Sequence, residues 1–213
     1  MIGTRAQSEH AMRQGSRTIA TPLLDLISRA HSPAFAELCR DYVPDDIAEA
    51  RFTEIARSVL QNCLPQPGAC TIMSALFAAR LAAELDAPVP VIAGALKIRG
   101  RYIFGSNAGV DGENAFSRSD LSWDGHVWIL FGKWIADISL ARTALSGRSH
   151  PLLEHQVRRE FGPRVGLIAF TDAEARRSGF LYLPRYVLNQ AQVTALAAGA
   201  AAVFDSDAKL AGR

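Results

Sequence analysis

Cysteine, charge of one sign and long apolar runs are all scarce in this chain of 213 residues. The three cysteines, Cys39, Cys63 and Cys70, are few and odd in number, which argues against a disulfide framework and for a reducing, cytoplasmic setting. The 23 Lys and Arg nearly balance the 21 Asp and Glu, leaving a net charge of +2, and the arginines are scattered along the chain. No strong field follows, so nucleic acid and anionic membrane are not expected as partners. The most apolar stretches, 70–83 and 193–204, are too short to span a bilayer, and the polar N-terminus has no signal-peptide core. There is no Gly-x-Gly-x-x-Gly and no phosphate loop, which removes the common nucleotide signatures. Close Cys or His pairs of the kind a structural zinc needs are also missing, so neither metal nor cofactor is expected.

What is present is an ordinary globular composition, 49% hydrophobic and 21% charged. A chain of this length buries roughly 70% of its unfolded surface and needs no staple. One domain is expected over 21–204, with a core at 60–140 and an elaboration at 141–204. Residues 1–20 and 205–213 read as flexible ends. Helices are predicted to begin at Pro22, to run from Pro33 to Tyr42, and to start near Pro44-Asp45-Asp46. Breakers crowd Cys63-Leu64-Pro65-Gln66-Pro67-Gly68-Ala69, so that segment is a loop. From Cys70 to Leu85 the sequence is apolar nearly all round, as a buried central helix should be. Val89–Ile98 and Arg101–Phe104 read as strands about an Arg99-Gly100 turn. Residues 105–125 form a long, glycine-rich loop of the length that is often functional. His126–Phe131 and Trp134–Ser139 then make a hairpin about Gly132-Lys133. Beyond Leu140 the pattern weakens to helices at 151–161 and 188–204 and strands at 165–170 and 180–183.

The chemistry gathers on Cys70, His126 and Asp137. Cys70 follows a Pro-Gly loop and opens a buried helix, where unpaired N–H groups and the helix dipole favour a thiolate. Such a nucleophile needs a base, and the base needs a group that orients it. If Gly132-Lys133 is the turn, Phe131 pairs with Trp134, Trp128 with Asp137 and His126 with Ser139. Alternation then puts His126 and Asp137 on one face as diagonal neighbours. Asp137 is a single acid in an otherwise apolar hairpin, and a buried carboxylate is costly unless paired. The rivals fit less well. Cys39 reads as a small buried hydrophobe, and Cys63 has no helix to polarise it. Asp124 reads as turn chemistry, and His150 and His155 as solvated. Trp123 and Trp128 are candidates to line a substrate cleft or, equally, to be core.

These segments resemble the core signature of transglutaminase-like domains, the papain-related group that includes arylamine N-acetyltransferases and bacterial transglutaminase-like proteases. The matching pieces are Gly68-Ala69-Cys70, Ala87-Pro88-Val89-Pro90-Val91-Ile92-Ala93-Gly94, Gly125-His126-Val127-Trp128-Ile129 and Gly132-Lys133-Trp134-Ile135-Ala136-Asp137. The likeness covers about residues 60–140 in the family's order of Cys, His and Asp. It departs at Val127, where the family has Ala, and it does not extend beyond Leu140. The resemblance implies an α+β papain-like fold, with a buried Cys helix packed on an antiparallel sheet. It also implies acyl chemistry on a peptide, protein or small acyl substrate: Cys70 attacks, His126 moves the proton and Asp137 holds the imidazole. An oxyanion hole needs donors; the Cys70 backbone N–H is one, and Gln66, Gln61 and Asn62 are candidates for the second. Three functions stand open: a hydrolase of amide, peptide or isopeptide bonds, an acyltransferase to an amine, and a scaffold that binds without turnover.

Overall fold

The computed structural model describes residues 19–63, 69–116 and 123–199. Three helices come first. α1 (Thr21–Ala30) carries Pro22 in its first turn, where a missing N–H costs nothing. α2 (Pro33–Asp41) is capped by Ser32, whose hydroxyl accepts the Phe35 N–H at 3.1 Å. α3 (Asp46–Asn62) is capped by Asp45, which accepts from Ala48 N–H at 2.7 Å. It buries Phe52, Ile55, Ala56 and Val59 along one face. α4 (Ala69–Leu85) is the apolar helix expected from the sequence, and Met73, Phe77 and Leu81 are fully buried on it.

The strands β1 (Val91–Ile98), β2 (Arg101–Phe104), β3 (His126–Phe131), β4 (Trp134–Asp137), β5 (Ile168–Phe170) and β6 (Phe180–Val187) form one antiparallel sheet. β6 runs along one edge of β1 from Ile92 to Ile98. On the other edge β3 and β2 lie end to end: β3 pairs Val91–Gly94 and β2 pairs Leu96–Ile98. The β1–β2 turn places both Arg99 and Gly100 at positive φ, +48° and +81°, as two-residue hairpins favour. The predicted pairing of Phe131 with Trp134 is present.

β1 and β3 are buried along nearly their whole length. Continuous burial is what a sheet covered on both faces requires. α3 and α4 pack one face, against Val127, Ile129 and Phe131. α1, α2 and the helix Pro151–Phe161 pack the other, against Trp128, Leu130, Phe180 and Tyr182. The chain is therefore a mixed α+β fold on an antiparallel sheet, and the helical cover is two-sided. No helix among the described residues is long and apolar enough to cross a membrane.

Several expected boundaries move. α5 (Gly112–Phe116) interrupts the long loop, and α6 (Leu140–Ala144) and α8 (Asp172–Arg177) were not expected. α7 is the predicted Pro151–Phe161. β4 stops at Asp137, because Ser139 turns out to start α6, so His126 and Ser139 do not pair. β5 is shorter than 165–170, and β6 runs on to Val187 because β1 is there to pair with it. Residues 190–199 are helical. Of the expected flexible ends, 1–20 and 205–213, all but 19–20 fall outside the described residues, as does 200–204 of the expected helix.

Candidate active site

Cys70 is half-buried in the first turn of α4. Its backbone N–H is therefore among the four that a helix start leaves without an intrahelical partner. Its sulfur lies 3.9 Å from Thr71 Oγ1. One turn further on, Ser74 donates its hydroxyl to the Val127 carbonyl at 3.1 Å, which ties α4 to the strand residue next to His126.

His126 opens β3 and is 1% exposed. Its Nε2 lies 2.5 Å from Asp137 Oδ2, and Cys70 is near enough to help raise its pKa. With Nε2 engaged by Asp137, Nδ1 is the ring nitrogen left for proton transfer with a thiol. The Phe104 ring stacks on the imidazole at 5.0 Å, a contact made possible by β2 and β3 lying end to end.

Asp137 is 0% exposed. A carboxylate without donors there would be costly, and five donors meet this one. Oδ1 accepts the backbone N–H groups of Ser139 (3.2 Å) and Leu140 (2.9 Å) and the Ser139 hydroxyl (3.3 Å). Oδ2 accepts from His126 and from Tyr182 Oη at 2.8 Å. The turn into α6 thus supplies the donors that fix Asp137.

Burial acts to lower the His126 pKa, but the Asp137 charge and hydrogen bond, with a further contribution from Cys70, outweigh it and raise the group to about 10. The buried Asp137 carboxylate thus favours the cationic form of the imidazole. Tyr182 is held well above its ordinary value, first by burial and then by the Asp137 charge and hydrogen bond, so it stays a donor.

The sequence missed Tyr182. Alternation over Phe180–Leu183 puts Phe180 and Tyr182 on one face, but no local signal says that β6 lies beside β1. The expectation that Trp128 lines a cleft is corrected: it is 1% exposed and packs edge-on against Tyr182 at 4.9 Å, inside the second core. Trp123 is half-buried, edge-on to Phe116 at 5.2 Å, and covers Gly125 so closely that a Cβ there would sit 2.0 Å from its ring. Gln66 lies outside the described residues. Gln61 and Asn62 are exposed at the end of α3, and the Asn62 amide is bonded to the Ser58 carbonyl at 2.8 Å.

The rival groups sit apart. Cys39 is buried, and burial pushes its thiol up to about 12. Burial also raises Cys63, partly offset by the Arg142 charge. Arg142 donates to the Leu60 and Cys63 carbonyls and so closes the end of α3 just before the 64–68 segment. Asp124, His150 and His155 are exposed. His150 caps α7, accepting the Leu152 N–H. No group of three or more His, Cys, Asp or Glu among the described residues is placed to hold a metal. No family model matches this chain, and no curated protein or solved structure matches it.

Proposed function

We propose that this protein is a cysteine hydrolase of amide, peptide or isopeptide bonds, with the fold a papain-like, transglutaminase-like form of its α+β architecture. The observation that carries the reading is the buried His126–Asp137 hydrogen bond with the half-buried Cys70 close enough to act on the imidazole. Nucleophile, base and orienting acid in that order are the arrangement a thioester mechanism needs.

The steps follow from the geometry. The Cys70 thiolate attacks the acyl carbon, and the carbonyl π electrons move to oxygen, where the helix N-terminus offers N–H groups. Collapse of this adduct breaks the C–N bond, and His126 gives its proton to the departing amine. Water then attacks the thioester while His126 takes the water's proton. The carboxylic acid leaves and the thiol–imidazole pair is restored. An amine in place of water gives acyl transfer through the same intermediate.

The test is a reactive-cysteine map. Substoichiometric iodoacetamide near neutral pH should label Cys70 first, with Cys39 and Cys63 untouched, and His126→Ala should abolish the preference. Labelling that begins at Cys39 or Cys63 would sink the proposal. A trapped acyl-enzyme, offered water and then a primary amine, separates hydrolysis from transfer.

A further inference from the structure

We propose that the part of the sheet lying beyond Cys70 is a subsite for an anionic group on the substrate, with Lys97 and Arg185 as its cations. The inference rests on the cysteine-nucleophile reading above and names the class of substrate for that site. α4 begins at Ala69 and runs from the level of His126 towards Phe131, since Ser74 meets Val127 and Phe77 meets Phe52, which stacks on Phe131. Val91 and Ala93 belong to the core on the α4 side, whereas Ile92, Leu96 and Ile98 belong to the other core. Alternation therefore puts Ala95 and Lys97 on the α4 face, beyond the point where the helix starts. Lys97 is three residues past Gly94, the partner of His126 in the ladder, so it lies about 10 Å along the strand.

Among the described residues, Tyr102, which carries Lys97 on its ring face, and Arg185 bring donors to one side-chain acceptor, Asn107 Oδ1. Lys97 Nζ sits 4.1 Å from the centroid of the Tyr102 ring, its neighbour across the β1–β2 ladder. Tyr102 Oη and Arg185 Nη2 both approach one oxygen, Asn107 Oδ1, each at 3.3 Å. Arg185 Nε is buried and has no acceptor among the described residues. Arg40, Arg51, Arg80, Arg158, Arg159 and Arg176 all pair with carboxylates, but neither Lys97 nor Arg185 does so among the described residues. An ammonium that rests on a ring face and a guanidinium that shares one amide oxygen with a phenol are complemented by a carboxylate, for which Arg offers two donors in a fork. The cluster is tied to the reacting groups through two short links. Pro184, beside Arg185, pairs with Gly94, and Asn107 is three residues after Phe104, which stacks on His126. An extended acyl substrate with its carbonyl at Cys70 would reach the cluster with a carboxylate two to three residues away.

The probe is a thiol reagent with a carboxylate on a matching spacer. Cys70 is alkylated with 6-maleimidohexanoic acid and, separately, with its neutral amide, and the ratio of the two rates is read in the full-length protein. The wild-type ratio should be roughly fivefold in favour of the acid at low salt, as two partly exposed charge contacts supply. It should fall to one in Lys97→Gln/Arg185→Gln, and also in the wild type near 1 M salt, where the Debye length is about 3 Å. A wild-type ratio of one overturns the subsite, as does a preference that survives in the double variant or at high salt. The salt arm needs no variant and so stands even if the double variant misfolds. Failure of the nucleophile reading shows elsewhere, as an amide rate that His126→Ala leaves unchanged.

Discussion

Tyr182 and His126 meet the same oxygen of Asp137, at 2.8 Å and 2.5 Å from Oδ2. The tyrosine arrives from β6, across β1, and lies edge-on to Trp128. It therefore fixes where the carboxylate points and shares the charge that holds the imidazole protonated. Asp137 would otherwise bear on His126 alone through that oxygen.

Tyr182→Phe keeps the ring against Trp128 and removes the shared donor. With one donor fewer, more of the carboxylate charge falls on His126, so the imidazole should titrate above its wild-type value. The lost buried hydrogen bond should cost about 1–3 kcal/mol in urea unfolding. Nitrogen-detected NMR of His126 against pH reads the first effect. A His126 titration that stays put would remove Tyr182 from the relay.

Asp137→Asn reverses the balance on the imidazole. Burial lowers the His126 pKa, and the Asp137 charge is the strongest influence that opposes it. With the charge gone, burial dominates and His126 should titrate below 6.5. Iodoacetamide labelling of Cys70 near neutral pH should then fall by at least about tenfold, since the cation beside the thiol is lost. Breaking one side of a buried ion pair should cost about 3–5 kcal/mol of stability.

Stability should also depend on alkaline pH. A histidine raised from 6.5 to about 10 binds its proton more tightly in the folded state than in the unfolded one. Its contribution is therefore complete below 6.5 and is lost as pH rises through about 10. Urea midpoints should fall steadily across that window as the unfolding free energy drops by on the order of a few kcal/mol. His126→Gln should flatten the decline. A wild-type midpoint that is level between these limits would contradict the raised pKa.

The hairpin was readable because its information is local. Gly132-Lys133 fixes the register, the period of two fixes the faces, and an acid among Trp134, Ile135, Ala136 and Ile138 demands a partner. The start of α4 was readable for the same reason, from a breaker-rich loop followed by an apolar run. What stayed hidden depends on non-local pairing. Tyr182 joins the site only because β6 takes the free edge of β1, and the second helical layer is set by cores that meet across the sheet. The short helices α5, α6 and α8 span one or two turns, and their propensity is too slight to mark them.

Gly94 links the legible and the hidden parts. It pairs with His126 on one side and Pro184 on the other. A Cβ on it would lie 2.1 Å from the Leu183 carbonyl oxygen and 3.0 Å from the Trp128 ring. The nearer obstacle is backbone, which cannot swing away, so Gly94→Ala must part β1 from β6. A loss of at least about 3 kcal/mol is expected, at the upper end of overpacking costs. Tyr182 should lose its bond to Asp137 at the same time, visible as a changed His126 titration. A variant with wild-type stability would mean that β6 is not held against β1 at this point.

Ser74 is the polar residue that sets the helix against the strand. Its hydroxyl is fully buried and donates to Val127, one turn after Cys70 and one residue after His126. Ser74→Ala leaves that carbonyl unsatisfied and should cost about 1–3 kcal/mol. A native protein stable by about 5–15 kcal/mol stays almost wholly folded at room temperature after such a loss. A contact that only stabilises would therefore lower Tm and leave the Cys70 labelling rate alone. If the bond sets the spacing of thiol and imidazole, the rate should drop severalfold in protein that is still folded, and its pH profile should change shape. Ser74→Thr, which keeps the hydroxyl, should restore most of the rate even where its extra methyl lowers Tm. An unchanged rate beside a lowered Tm in Ser74→Ala would assign the residue to stability alone.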